Sequence, residues 1–404
     1  MARRLTARRT AAASAGAGLI ACAGATAGAW RLSTLIGRDA MRVRPASRRT
    51  PIEVVAVGET EITLRPNEPL GTSEFTSGGP WRDGDGWYGV GGHRSVGLVG
   101  PVLARAPDGA ITRAFARRAG AMVMPGDRVR LGLEAFWPDP SALGLRVTRV
   151  HYPSPLGPMP AWLLPGARDD AWAVVVHGRG ADRTEGLRLA RVLHGAGRTT
   201  LVIGYRNDPG APATDGLARF GQAETEDLEA AVRFACAHGA RRVVLAGISM
   251  GGGIVARLLA RSATADLVER AVLDSPLLDP RDAIRAAAAR VRLAPGIRGA
   301  PRPVVDGALA IAARRFGVSW REVDVGRHAR ELRTPILIVH RADDRIVPVG
   351  PSARLAARRP DLIELFRPEG AGHTDAWNAD PAAYDTLVSR ALAGEGAGDR
   401  AAPA

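Results

Sequence analysis

From about residue 151 onward, uninterrupted apolar runs alternate with segments whose apolar residues recur every three or four positions. The runs are AWAVVVH (171–177), TTLVIGY (199–205), RRVVLAG (241–247), ERAVLDS (269–275), TPILIVHR (334–341) and DLIELFR (361–367). Their length and lack of polar alternation predict strands buried on both faces. Between them, EGLRLARVLHGAG (185–197), TEDLEAAVRFACAHG (225–239) and Met250–Arg261 read as helices. The second of these opens on acids and closes on glycine, which suits the helix dipole and the C-cap. Such alternation predicts an α/β fold, a mostly parallel sheet flanked by crossover helices. Residues 277–332 interrupt it with a helical pattern broken by Pro and Gly, mixing Arg with apolar residues. Lying between two strands, this insert is expected to cap the C-terminal edge of the sheet.

Upstream the pattern is different. PIEVVAV (51–57), TEITLRP (60–66), SVGLVGPVLA (95–104) and DRVRLGLEAFW (127–137) are short strand-like runs separated by Gly- and Pro-rich turns. They predict a β-rich module. His93 and His151 stand alone in their segments and form no catalytic constellation. The expected organisation is residues 1–40 as a signal or signal-anchor segment, 41–150 as the β-rich module, 151–393 as the α/β domain and 394–404 as a disordered tail.

The N-terminal segment begins with basic MARRLTARRT, and Thr10–Trp30 then runs 21 residues without a charge. Three readings stay open. It is long enough for a membrane-spanning anchor. The Ala27-Gly28-Ala29 stretch also suits a signal-peptide cleavage site. Leu19-Ile20-Ala21-Cys22 resembles a bacterial lipobox, with Cys22 as the lipidated residue. All three carry the main domain across a membrane. The expected location is therefore the cell membrane with the domain outside the cytoplasm, or a secreted or lipid-anchored form.

Composition narrows the partners. The net charge is +14, and every one of the 55 basic residues is arginine. They are spread along the whole chain, aromatics make up only 5%, and no zinc-finger or RNP motif occurs. This argues against a nucleic-acid partner. Two cysteines, Cys22 and Cys236, provide neither a zinc site nor a disulfide framework.

The chemistry is concentrated in four places. Gly247-Ile248-Ser249-Met250-Gly251 matches G-x-S-x-G and lies between a predicted strand and a predicted helix, the setting that lifts a nucleophilic serine clear of a sheet. A serine hydroxyl needs a base, and the base needs an orienting acid. After TPILIVHR comes Ala342-Asp343-Asp344-Arg345-Ile346-Val347-Pro348, where Asp344 has the better spacing as the acid and Asp343 reads as loop support. After the last predicted strand, His373 sits on a glycine-rich loop, downstream of both serine and acid. Finally, Val176-His177-Gly178-Arg179-Gly180 follows the first strand of the domain. There the N–H of Arg179, with that of Met250, would form an oxyanion hole. Gly178, Gly180, Tyr205 and Arg206 are placed at the same sheet edge as candidate substrate-binding residues, and His177 reads as a brace for its loop. No metal or cofactor is required by this chemistry.

These residues carry a resemblance. VVVHGRGADR, IGYRNDPGAP, LAGISMGGGIVARL, LDSPLLD, HRADDRIVP and GAGHTDAWN make residues 151–395 look like the α/β-hydrolase fold. In detail they are similar to bacterial membrane-associated serine hydrolases near the prolyl-oligopeptidase-like and lysophospholipase-like groups. The resemblance implies Ser249 as nucleophile, Asp344 as acid and His373 as base. It implies a carboxylic ester hydrolase, a carboxylesterase or lysophospholipase-like enzyme acting on a small-molecule or lipid acyl substrate. A serine peptidase and a non-catalytic envelope-binding module are the alternatives. The sequence leaves the oligomeric state open.

Overall fold

The computed structural model describes residues 26–43, 52–66, 86–91, 95–120, 122–132, 137, 140–294, 297–369 and 372–394. Cys22, the uncharged stretch before Thr26 and the expected tail from residue 395 lie outside the described residues. Residues 26–35 are helical and continue into a π-helical turn, Ile36–Met41. This segment packs on the α/β domain: Arg315 donates to Ser33 and Thr34 and lies over the Trp30 ring, and Val43 N–H bonds the Gly216 carbonyl. Among the described residues no helix is long and apolar enough to cross a membrane.

The β-rich module is a closed barrel of β1 (Ile52–Val57), β2 (Glu61–Pro66), β3 (Tyr88–Gly91), β4 (Ser95–Arg105), β5 (Ile111–Gly120) and β6 (Arg128–Gly132). Its order is β1-β2-β5-β4-β3-β6, and β1 pairs with β6 to close it. Closure removes the free strand edges that an open antiparallel sheet would expose. Val54, Ile62, Leu64, Val90, Val99 and Val129 fill its core.

The main sheet contains β7 (Thr148–Ser154), β8 (Gly157–Leu164), β9 (Arg168–Val176), β10 (Arg198–Ile203), β11 (Arg242–Ile248) and β12 (Val268–Asp274). After the short hairpin β13 (Arg292–Ala294) and β14 (Ile297–Arg298), the sheet is completed by β15 (Ile336–Val339) and β16 (Ile363–Phe366). The spatial order is β16-β15-β12-β11-β9-β10-β8-β7. β8 runs antiparallel to both its neighbours, β7 and β10; the six strands from β16 to β10 are parallel to one another.

Burial on both faces follows from the apolar runs. In β9, Trp172, Val174 and Val176 enter one core while Ala173 and Val175 enter the other. β11 divides Val243 and Leu245 from Val244, Ala246 and Ile248 in the same way, the period of two that a strand imposes. Helices α1 (Leu187–Gly195), α2 (Thr225–Ala237) and α3 (Met250–Arg261) make the first crossovers. The insert after β12 forms α4 (Pro280–Arg290) and α5 (Arg302–Phe316); α6 (Gly350–Arg358), α7 (Ala376–Ala379) and α8 (Pro381–Ala393) follow. The π-helical turn at 36–41 contacts α5, so the N-terminal segment touches the insert.

Candidate active site

Ser249 joins β11 to α3 with φ 52° and ψ −115°, a left-handed conformation that costs a non-glycine residue energy. The surroundings hold it there. Its N–H bonds the Asp274 carbonyl at 2.8 Å, and its carbonyl accepts from Leu277 N–H at 2.9 Å. The turn tolerates no bulk nearby. A Cβ on Gly247 would lie 2.5 Å from the Gly251 oxygen, and one on Gly251 would lie 2.3 Å from the Val176 oxygen. On Gly252 and Gly253 it would meet Pro276 and Leu277, beyond β12. The four glycines therefore let α3 start against the ends of β9 and β12.

The structure brings Ser249, His373 and Asp344 together. His373 Nε2 is 2.9 Å from Ser249 Oγ, and its Nδ1 is 2.7 Å from Asp344 Oδ2. A carboxylate can only accept, so Nδ1 carries the proton and Nε2 is free to accept from the serine hydroxyl. Asp344 is buried, and burial opposes its charge. Hydrogen bonds from His340, His373 and the Val347 N–H outweigh this and hold the carboxyl well below its usual range. Its Oδ1 accepts from Ile346 and Val347 N–H at 2.8 and 2.9 Å. His340 Nε2 donates to the Val347 carbonyl at 2.9 Å and lies 3.4 Å from Asp344 Oδ2. Asp343 is exposed and pairs with Arg341.

The loop carrying His373 rests on polar groups that sequence reasoning did not single out. Ser275 Oγ donates to Asp274 and accepts from Thr374 N–H at 3.2 Å. Asp274 is fully buried and also takes bonds from Tyr384 at 3.1 Å and Arg188 at 3.4 Å. Asp375 lies close by. Burial, then the Asp274 charge, raise its carboxyl to about 6. The barrel reaches this loop too: Trp87 and Asn378 exchange hydrogen bonds of 2.8 and 2.9 Å. Only the DS pair ending β12 hinted at this network in the sequence.

Residues 177–180 run beside the serine. A Cβ on Gly178 would lie 3.2 Å from Ser249 Cβ, so the loop passes within contact of the nucleophile. Gly180 takes φ 77°, a conformation suited to glycine. Met250 opens α3, where the first N–H groups have no intrahelical partner. Tyr205 and Arg206 depart from the expectation that they bind substrate. Tyr205 is buried and stacks on His177 with centroids 4.6 Å apart. Arg206 is buried against Asp227 at 2.7 Å and reaches Glu226 at 2.9 Å. Both side chains are committed to the interior.

No family model matches the chain. Among solved structures, the Pyrococcus furiosus esterase Pf2001 superposes with TM-score 0.51 at 17% identity, over 63% of this chain and 95% of that one. A second crystal form gives 0.50 at 17% identity, over 63% and 92%. Among curated proteins, Escherichia coli RutD, assigned as a carbamate hydrolase, is 35% identical over 103 residues. That match spans 23% of this chain and 36% of RutD, about a third of the relative's length.

Proposed function

We propose that this chain, which has the α/β-hydrolase fold, is a serine hydrolase that cleaves carboxylic esters through an acyl-enzyme on Ser249. The observation that supports it most is the relay Ser249–His373–Asp344, in bonding distance at both links, on a strained strand-to-helix turn. Ser249 Oγ attacks the acyl carbon as its proton passes to His373 Nε2. The ionised Asp344 holds the ring and offsets its new charge. The oxyanion is received by the N–H groups of Arg179 and Met250, the second at a helix N-terminus whose dipole favours negative charge. Collapse expels the alcohol, which takes the proton from His373. Water, deprotonated by the same imidazole, then releases the acid.

The N-terminal segment supports a lipid acyl ester as the substrate class. It is packed on α5 of the insert, with Trp30 and Leu35 exposed, and the uncharged stretch from Thr10 leads directly into it. Held in or on a membrane, that stretch would keep the insert next to lipid, which favours a lipid acyl ester and an extracytoplasmic domain. Fractionation of the full chain with a C-terminal topology reporter tests this; a soluble, cytoplasmic product rejects it.

Fluorophosphonate labelling tests the chemistry: label on Ser249 is expected, and native protein that takes none would leave only the binding-module reading. One observation favours a peptidase, the barrel fastened at Asn378 close to the His373 loop, where it can restrict access. Turnover of a short-chain ester well above the matching peptide amide is expected, and the reverse order would select the peptidase.

A further inference from the structure

We propose that His177 is a charged positioning residue, an imidazolium paired with Asp208 that fixes the peptide plane carrying the oxyanion donor Arg179. The inference rests on the reading of Ser249 as nucleophile. His177 is buried, and both ring nitrogens face acceptors: Nδ1 lies 2.8 Å from the Gly178 carbonyl and Nε2 2.7 Å from Asp208 Oδ2. A carbonyl and a carboxylate only accept, so both nitrogens must donate, and an imidazole that donates twice is protonated.

The second step is stereochemical. The chain has no cis peptide among the described residues, so the Gly178 carbonyl and the Arg179 N–H point in opposite directions from one rigid plane. Fixing the first aims the second. The carbonyl is held by His177 and, at 3.3 Å, by the Tyr205 hydroxyl. The preceding plane is clamped as well: Gly178 N–H donates to Glu185 at 2.6 Å, and the His177 carbonyl accepts from Tyr205 at 3.2 Å. Asp208 is itself set by the Tyr205 N–H at 2.9 Å. The whole brace therefore ends at the peptide beside Ser249.

The charged groups around the ring are Asp208, from the loop after β10, and Glu185, from the turn before α1. Glu224 lies beyond Tyr205, and the charges of Arg179 and Arg183 reach the cluster. Burial opposes the proton on His177; the Asp208 carboxylate first, then the Gly178 carbonyl and Glu185, override it and raise the group to about 9. Deprotonation would leave one nitrogen without a proton to give, and the peptide plane would lose a restraint.

Two measurements test the proposal. In the unmodified protein, nitrogen NMR of the histidines, with His177 assigned by contact with the Tyr205 ring, should show both ring nitrogens protonated at pH 7.5 and titrating near 9. Titration below 7 overturns the proposal, and this readout does not depend on any variant folding or on activity. In kinetics with p-nitrophenyl acetate, His177→Gln and Asp208→Asn should lose about 10- to 100-fold in kcat, with KM within about threefold, less than deleting an oxyanion donor outright. The alkaline limb of kcat should also move to lower pH in Asp208→Asn. Folded variants with unchanged kcat and an unchanged alkaline limb overturn it. If Ser249 takes no fluorophosphonate while His177 remains doubly protonated, the hydrolase reading fails rather than the charge state of His177.

Discussion

Replacing Asp344 by Asn changes one atom and should nearly stop turnover. The reason lies in what its two oxygens do. Oδ1 accepts two backbone N–H groups, from Ile346 and Val347, so the amide oxygen of an asparagine must take that place. The amide nitrogen is left 2.7 Å from His373 Nδ1, where it donates. His373 is then forced to carry its proton on Nε2, facing Ser249 Oγ at 2.9 Å, and can no longer accept the serine proton. The same tautomer inversion in serine proteases lowers kcat by about 10⁴, or about 5.5 kcal/mol of activation free energy. The assay is kcat for a short-chain p-nitrophenyl ester at pH 8, beside thermal unfolding to show that the variant is folded. Asp343→Asn is the control; its exposed pair with Arg341 contributes at most about 1 kcal/mol, and kcat should stay within about threefold. A folded Asp344→Asn that keeps more than about a tenth of kcat, or an Asp343→Asn that is the more damaged, would refute the assignment of the acid.

Four further outcomes follow from packing and charge. Gly251→Ala places a methyl 2.3 and 2.6 Å from the carbonyl oxygens of Val176 and His177, neither of which can yield, and should cost about 3 kcal/mol or more in urea unfolding. Gly195→Ala, with nothing within 4 Å, should be neutral or stabilise by up to about 1 kcal/mol. Arg206→Ala strands the fully buried Asp227 carboxylate and should destabilise by about 3–5 kcal/mol, with KM of the folded fraction unchanged; a selective rise in KM would restore Arg206 to the substrate. His177, raised from 6.5 to about 9, contributes stability that is complete below pH 6.5 and is lost as pH rises through about 9. The shift corresponds to about 3 kcal/mol, and urea midpoints at pH 6 and pH 10 for the wild type and His177→Gln should reveal it.

Much of the α/β domain is legible because two-sided burial leaves a plain record: continuous apolar runs, with acids, glycines and histidine at the ends where the chain turns over the sheet. The elements that escape notice do so for physical reasons. β5 reads ITRAFARRAG, and its arginines break the apolar alternation, yet Arg113 lies wholly inside, donating to the Gly100 and Gly86 carbonyls. The β7–β8 hairpin carries Pro153, Pro158 and Pro160, residues that ordinarily signal loops; Pro153 is on the edge strand, and the other two precede the part of β8 that pairs with β10. At the site, Ser249, Asp344 and His373 are legible because each lies on the turn or loop that follows a strand. Pairings such as His177 with Asp208 or Arg188 with Asp274 join positions 31 and 86 residues apart, and no local pattern records them. Tyr205 and Arg206 were placed on the correct edge, but a sequence gives position and not depth.

The distance between Ser249 and His373 along the chain, 124 residues, also sets an order of events during synthesis. The turn that strains Ser249 is complete once β11, α3 and the end of β12 have come together. The base arrives only after β15 and β16 have been added to the edge of the sheet. In a chain made from its N-terminus, the residues of the strained turn therefore precede those of the base. The base cannot reach the serine until the last two strands of the sheet are in place. On the proposed serine chemistry the strained turn alone would be inactive, and activity would come only with the completed sheet.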